Sequence, residues 1–229
     1  MLDHCVSQVY GNSEISSGCI GSGALLPLLV HDVGGFARAM EVVASLAERL
    51  DAPVGTSYLH GDAFPYSHRN WVGPLGYMGS RASMRALREA DLVVAAGCRL
   101  SPFGLNPQYG MDYWPKDAKI IQIDINPDMI GSNHSKRPDL GIVGDVGSVL
   151  SSIMETMNSV DISSVSDGSW MERSLFHKKE WEKDLEEMSS QTISDIHPSD
   201  RISPRKALST LEKLMPENAI VSTDIGNIC

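Results

Sequence analysis

Hydrophobic positions along this chain alternate between short continuous runs and helical stripes. Leu25 to Val30, Pro53 to Thr56, Leu92 to Ala96, Ile120 to Ile125 and Leu140 to Val143 are apolar runs too short for helices, and several are rich in β-branched residues. The last three exit into Gly, Asp or Asn. That is the pattern of strands buried on both faces of a parallel sheet, with their ends at a ligand crevice. Between them, Phe36, Met40, Val43, Ala47 and Leu50 step by four, three, four and three, which predicts one apolar helix face. Ser80 is placed to cap a helix running to Ala90, with Ala82, Met84, Ala86 and Leu87 inside. Asp145 is placed to cap another that carries Val146, Val149, Leu150, Ile153 and Met157. Strands alternating with helices predict an α/β fold, a Rossmann-like doubly wound parallel sheet. Two long connections, Ser57 to Gly79 and Gly97 to Asp117, read as loops that are functional or cover a neighbouring domain.

The pattern divides the chain into four stretches. Residues 1–23 are polar, Gly/Ser-rich and aperiodic, and form an unassigned leader. Gly21-Ser22-Gly23 follows no predicted strand and lacks a third glycine, so it carries little weight as a dinucleotide fingerprint. Residues 24–157 hold the sheet domain. Residues 158–202 read as a linker with a charged helix, Trp170 to Met188, whose narrow stripe of Leu175, Trp181, Leu185 and Met188 predicts a surface position. At 203–229 a new unit opens. Ser203-Pro204 starts a helix with Ala207, Leu208, Leu211 and Leu214 as its buried face, and Ala219 to Val221 is the next expected strand. One helix and one strand cannot make a core, so this stretch is expected to be the truncated start of a second α/β domain.

Composition narrows the function classes. The 229 residues carry a formal charge of −10, with a pI near 5.1. That argues against nucleic acid or an anionic membrane as the main partner, since both need a basic face. Cys5, Cys19, Cys98 and Cys229 show no metal-binding spacing, so no metal site is expected and free thiols in a reducing compartment are. No run is long enough to span a bilayer, and no basic-then-apolar leader opens the chain; a cytoplasmic location is the expectation.

Candidate binding residues cluster at predicted strand ends. Gly34 and Gly35 precede a helix, but a tight strand-to-helix turn accounts for them best. Gly97 and Arg99 leave the Leu92–Ala96 run, where a guanidinium suits a phosphate or carboxylate; an ion pair to an Asp across a domain interface is the other reading. Asp124 and Asn126 end the next run, where they could cap the following turn. His60 and His68 sit in a long loop, where a lone histidine is more often a surface or interface residue than an acid–base group. No catalytic residue is assigned.

Several stretches resemble one family. They are GCRLSPFGLNPQYGMDYWPKDAKIIQIDINPDMIG from Gly97, SYLHGDAFP from Ser57, GPLGYMGSRASM from Gly73, GIVGD from Gly141, and SPRKAL with AIVSTDIGN from Ser203 and Ala219. Together they are similar to thiamine-diphosphate-dependent enzymes of the acetolactate synthase superfamily. The run through Pro102 to Gly131 most resembles the sulfoacetaldehyde acetyltransferases within it. The likeness covers about Leu25 to the end. It departs at Leu28 to Phe36, where His31 and Asp32 interrupt a turn that is glycine-rich in the family, and at Cys98, where Thr is common.

The resemblance implies a three-domain enzyme that uses thiamine diphosphate and Mg2+ and works as a homo-oligomer with active sites between subunits. The first domain carries a glutamate that activates the thiamine ring, and the third a Gly-Asp-Gly…Asn segment that holds the metal and diphosphate. This chain resembles the central domain and the opening of the third, and neither of those two features is found in it. It is therefore expected to be inactive alone. Asp224, Gly226 and Asn227 match the third domain's first strand exit, which implies contact with the cofactor's diphosphate edge in the complete enzyme. Gly97, Arg99, Asp124 and Asn126 would form a vestigial nucleotide crevice, since relatives hold FAD or ADP in this domain; FAD itself is not expected. The implied reaction converts sulfoacetaldehyde and phosphate to acetyl phosphate and sulfite, a step of sulfonate metabolism such as taurine degradation. The cofactor carries the hard chemistry. Another acetolactate synthase-like or decarboxylase enzyme, or a non-catalytic nucleotide-binding or assembly module, is the alternative.

Overall fold

The computed structural model describes residues 28–30, 36–57, 60–133, 137–159, 168–190, 202–216 and 218–221. The chain divides into two compact units, residues 1–178 and 179–229. In the first, β1 (Leu28–Val30), β2 (Val54–Ser57), β3 (Trp71–Leu75), β4 (Leu92–Ala96), β5 (Lys119–Asp124) and β6 (Leu140–Val143) form one sheet in the order β3-β2-β1-β4-β5-β6. Every pairing is parallel. The order reverses between β1 and β4, and such a switch point opens a crevice beyond the carboxyl ends of the strands.

Alternation along the central strands builds a core on each face. Val94 and Ala96 of β4 and Ile123 of β5 pack with α1 (Phe36–Leu50) and α3 (Val146–Ser159), through Ala39, Val43, Leu46, Ala47 and Leu150. Val93 and Ala95 point the other way, to Met84 and Leu87 of α2 (Arg81–Arg88), and to Leu100, Tyr113 and Ile120. All five residues of β4 are buried, which accounts for its unbroken apolar run.

One strand departs from expectation. β3 lies inside the expected Ser57–Gly79 loop. Gly73 and Pro74 read as breakers, yet β3 is a sheet edge, where a missing N–H is tolerated. Gly73 has φ +112°, and a Cβ there would lie 2.5 Å from the Ser80 Cβ, so the strand and the start of α2 meet where only glycine fits. Ser80 caps α2 as expected. Its Oγ accepts the Ala82 and Ser83 N–H groups at 3.0 and 3.4 Å and donates to the Val72 carbonyl at 3.1 Å. Ser80→Ala is expected to lower stability by about 1–2 kcal/mol, read as an earlier urea midpoint with unchanged slope. Asp145 caps α3, accepting the Ser148 N–H and hydroxyl, both at 2.9 Å. The Ser148 bonds hold its carboxyl below the usual range.

α4 (Ser169–Ser190) begins in the first unit, where one side of its first turns is anchored while Glu172, Arg173 and Phe176 stay exposed. Trp170, Met171 and Ser174 are buried, and Glu89 at the end of α2 accepts from Arg173 Nε at 3.0 Å and contacts His177 Nε2 at 3.2 Å. The predicted stripe missed this contact because it began at Leu175. In the second unit, α5 (Pro204–Leu214) starts at the expected Ser-Pro, although the Ser203 side chain makes no capping bond. Its expected buried face is uncovered: Leu208, Leu211 and Leu214 are 46%, 53% and 76% exposed. Residues 219–221 form no strand, for no neighbouring strand pairs with them among the described residues.

Candidate functional site

The carboxyl ends of β4 and β5 bring the predicted crevice residues together. Gly97 leaves β4 with φ +61°, and its N–H donates to the Ile123 carbonyl at 2.8 Å. That bond uses the amide, so the glycine serves the turn. Cys98 and Leu100 then point inward, 8% and 2% exposed, while Arg99 between them faces solvent. Leu100 takes a left-handed φ of +51° to complete the turn. Among the described residues Arg99 has no ion-pair partner. Burial pushes the Cys98 thiol up to about 11, with the Asp124 carboxylate adding to the rise and the Leu100 amide and Arg99 opposing it. Such a thiol is protonated at neutral pH and a poor nucleophile. Because β4 and β5 run parallel, Arg99 and Asp124 stand at the same end of the sheet.

Asp124 is 9% exposed, and its Oδ1 accepts the Asn126 N–H at 2.9 Å. The Asn126 Oδ1 in turn accepts the Asp128 N–H at 3.0 Å and caps the short 3-10 turn Pro127–Met129. Each residue thus makes the capping bond that was one of its two readings. Past that turn, Ile130, Gly131, Arg137, Pro138 and Gly141 line an open cavity of about 370 Å³.

Of the loop histidines, His68 bonds to the scaffold through both ring nitrogens. His68 Nδ1 accepts the Asn70 N–H at 3.2 Å, which leaves Nε2 to carry the proton toward Glu48 Oε1, also at 3.2 Å. Phe64 meets its ring edge-on at 5.0 Å. His60 stands at the N-cap of the Gly61–Ala63 turn without a side-chain capping bond. Gln122 was missed in the sequence, where it only interrupts an apolar run; the signal was a polar residue in the middle of a buried strand. Asp224, Gly226, Asn227, Gly34 and Gly35, with the leader and residues 191–201, lie outside the described residues. Among the described residues no group of three or more His, Cys, Asp or Glu could hold a metal ion, and no helix is long and apolar enough to cross a membrane.

Comparison with known proteins agrees with this architecture. The chain is 42% identical over 224 residues to a probable sulfoacetaldehyde acetyltransferase of Rhizobium meliloti (strain 1021), covering 91% of this chain and 36% of that protein. It is 42% identical over 208 residues to the sulfoacetaldehyde acetyltransferase of Castellaniella defragrans, covering 83% and 33%. A probable acetolactate synthase large subunit of Methanocaldococcus jannaschii is 30% identical over 195 residues, covering 82% and 30%. The chain therefore spans about a third of the curated relatives it matches. The family described as thiamine pyrophosphate enzyme, central domain, matches residues 22–153. That span contains all six strands and the crevice between them, and the chain belongs to this family.

Proposed function

We propose that this chain is the central part of a thiamine-diphosphate-dependent acetyltransferase that converts sulfoacetaldehyde and phosphate to acetyl phosphate and sulfite. The observation that carries the reading is the 42% identity to sulfoacetaldehyde acetyltransferases over as much as 91% of the chain, against 30% to the acetolactate synthase. In the complete enzyme Asp224, Gly226 and Asn227 would border the diphosphate, with glycine letting backbone approach and asparagine donating a hydrogen bond. Thiamine diphosphate with Mg2+ would supply the carbanion chemistry. We assign the parent enzyme to the cytoplasm, as a homo-oligomer.

The test is an assay of the 229-residue chain beside a full-length protein that carries the same central segment. Each is supplied with sulfoacetaldehyde, phosphate, thiamine diphosphate and Mg2+. The full-length protein is expected to release sulfite and acetyl phosphate, and the chain alone to release neither. Sulfite from the chain alone refutes its dependence on further segments. Acetolactate made from pyruvate by the full-length protein, without sulfite release, moves the reading to an acetolactate synthase.

A second reading rests on the exposed Arg99 at the switch-point crevice: the domain binds a nucleotide there through Gly97, Arg99, Asp124 and Asn126. Thermal stabilisation by ADP, and its loss in Arg99→Gln, supports this reading. A flat response to ADP, FAD and NAD removes it.

A further inference from the structure

Gln122 lies in the middle of β5 with none of its surface exposed. A buried amide destabilises the fold unless its polar atoms find partners. Here Nε2 donates to the carbonyls of Cys98 and Met129, each at 3.1 Å, and Oε1 accepts the Gly131 N–H at 2.8 Å. The three bonds fix the orientation of the amide. Turned over, it would set its oxygen against two carbonyls and its NH2 against an N–H.

The partners belong to two separate loops. Cys98 lies in the exit from β4, where its inward carbonyl and the left-handed Gly97 and Leu100 leave Arg99 facing out. Met129 and Gly131 close the turn after β5 that Asn126 caps, and Gly131 also lines the cavity beside Arg137. One side chain therefore ties both rims of the crevice to the strand between them.

We infer that Gln122 is a positioning residue that sets the spacing between Arg99 and the Asn126–Gly131 turn, so that an anionic ligand held at one rim is felt at the other. The ligand half of this inference rests on the nucleotide-crevice reading; the coupling of the two loops does not.

The test compares the wild-type chain with Gln122→Met, which keeps the side-chain length and removes all three bonds, and with Leu46→Ala as a control. Leu46 lies in the core on the other face of the sheet, which includes neither Cys98 nor Leu100, so Leu46→Ala should lower global stability without touching either loop. In Gln122→Met, amide exchange at residues 98–100 and at Gly131 is expected to rise together, tenfold or more, while β4 and β5 stay protected. ADP affinity by calorimetry should fall at least tenfold in Gln122→Met and stay unchanged in the control. Faster exchange in one loop alone overturns the coupling, as does an equal response in the control. If Gln122→Met fails to fold, Gln122→Asn, a neutral amide one methylene too short to reach both loops, carries the same exchange comparison. Wild-type protein that does not bind ADP removes the nucleotide reading and leaves the exchange result to decide the coupling.

Discussion

Gly76→Ala is expected to destabilise the sheet domain by roughly 2–5 kcal/mol, from left-handed strain and overpacking together. Gly76 has φ +81°, a conformation that L side chains rarely adopt. A Cβ there would strike the carbonyl oxygen of Gly104 and lie 2.6 Å from its carbonyl carbon and 2.9 Å from its Cα. All three atoms are backbone, so no side-chain rotation relieves the clash. The approach joins the exit of β3 to the loop after β4. Around it Tyr77 stacks on Phe103 at 5.3 Å, Tyr109 Oη donates to the Gly79 carbonyl at 3.0 Å, and the Arg81 guanidinium lies 4.6 Å from the Tyr109 ring centre. Separating the loops would break these contacts as well. Gly110→Ala is the comparison: its φ is +70°, but nothing lies within 4 Å of a Cβ there, so only the strain of about 1–2 kcal/mol applies. Urea midpoints should rank wild type, Gly110→Ala, Gly76→Ala. Equal losses in the two variants would show that the loops yield without cost.

What the sequence revealed follows the physics of burial. β4, β5, β6 and the helix from Phe36 to Leu50 were legible because hydrophobic period records which face meets the core. β3 was hidden because Gly73-Pro74 carried the ordinary signature of a turn; edge position alone does not hide a strand, since β6 is the other edge, has no buried residue, and was still legible from its apolar run. The leucines of α5 show the limit of the same signal: period identifies the apolar face but does not supply what covers it. Around the crevice, strand ends were readable from Gly, Asp and Asn: Gly97 leaves β4, beside the switch point, and Asp124 and Asn126 leave the neighbouring β5. Whether Asp124 and Asn126 hold a ligand or cap a turn depends on backbone amides two residues away, which no composition records. Gln122 was harder still, since its three partners lie 7 to 24 residues away and only the fold brings them to one side chain.

Asn70→Asp is expected to cost about 3–5 kcal/mol at neutral pH, as a buried charge without a partner. Asn70 is fully buried, and its Nδ2 donates to the Ala47 carbonyl at 3.2 Å and the Ala52 carbonyl at 2.8 Å, tying down the end of α1. The same nitrogen lies 3.8 Å from Met171 Sδ, at the buried start of α4. A carboxylate there loses both donors and turns negative charge toward two carbonyl oxygens. Asn70→Ala separates the effects. It also leaves the carbonyls without donors, but it removes Oδ1, which is buried without a partner in the wild type, so its cost is smaller, about 1–3 kcal/mol. The two variants should differ in their pH dependence. Burial and the facing carbonyls raise the folded pKa of the introduced carboxyl above its unfolded value near ~3.9. Between those two values the native state holds more protons than the unfolded state, so stability rises as pH falls. Below the unfolded value the gain is complete, and the neutral acid can donate one hydrogen bond to Ala47 or Ala52. Denaturant midpoints from pH 7 to pH 4 should therefore show Asn70→Asp recovering toward Asn70→Ala, with Asn70→Ala running parallel to wild type. An Asn70→Asp protein as stable as Asn70→Ala at pH 7 would mean that water reaches this site, and that α4 does not seal the end of α1.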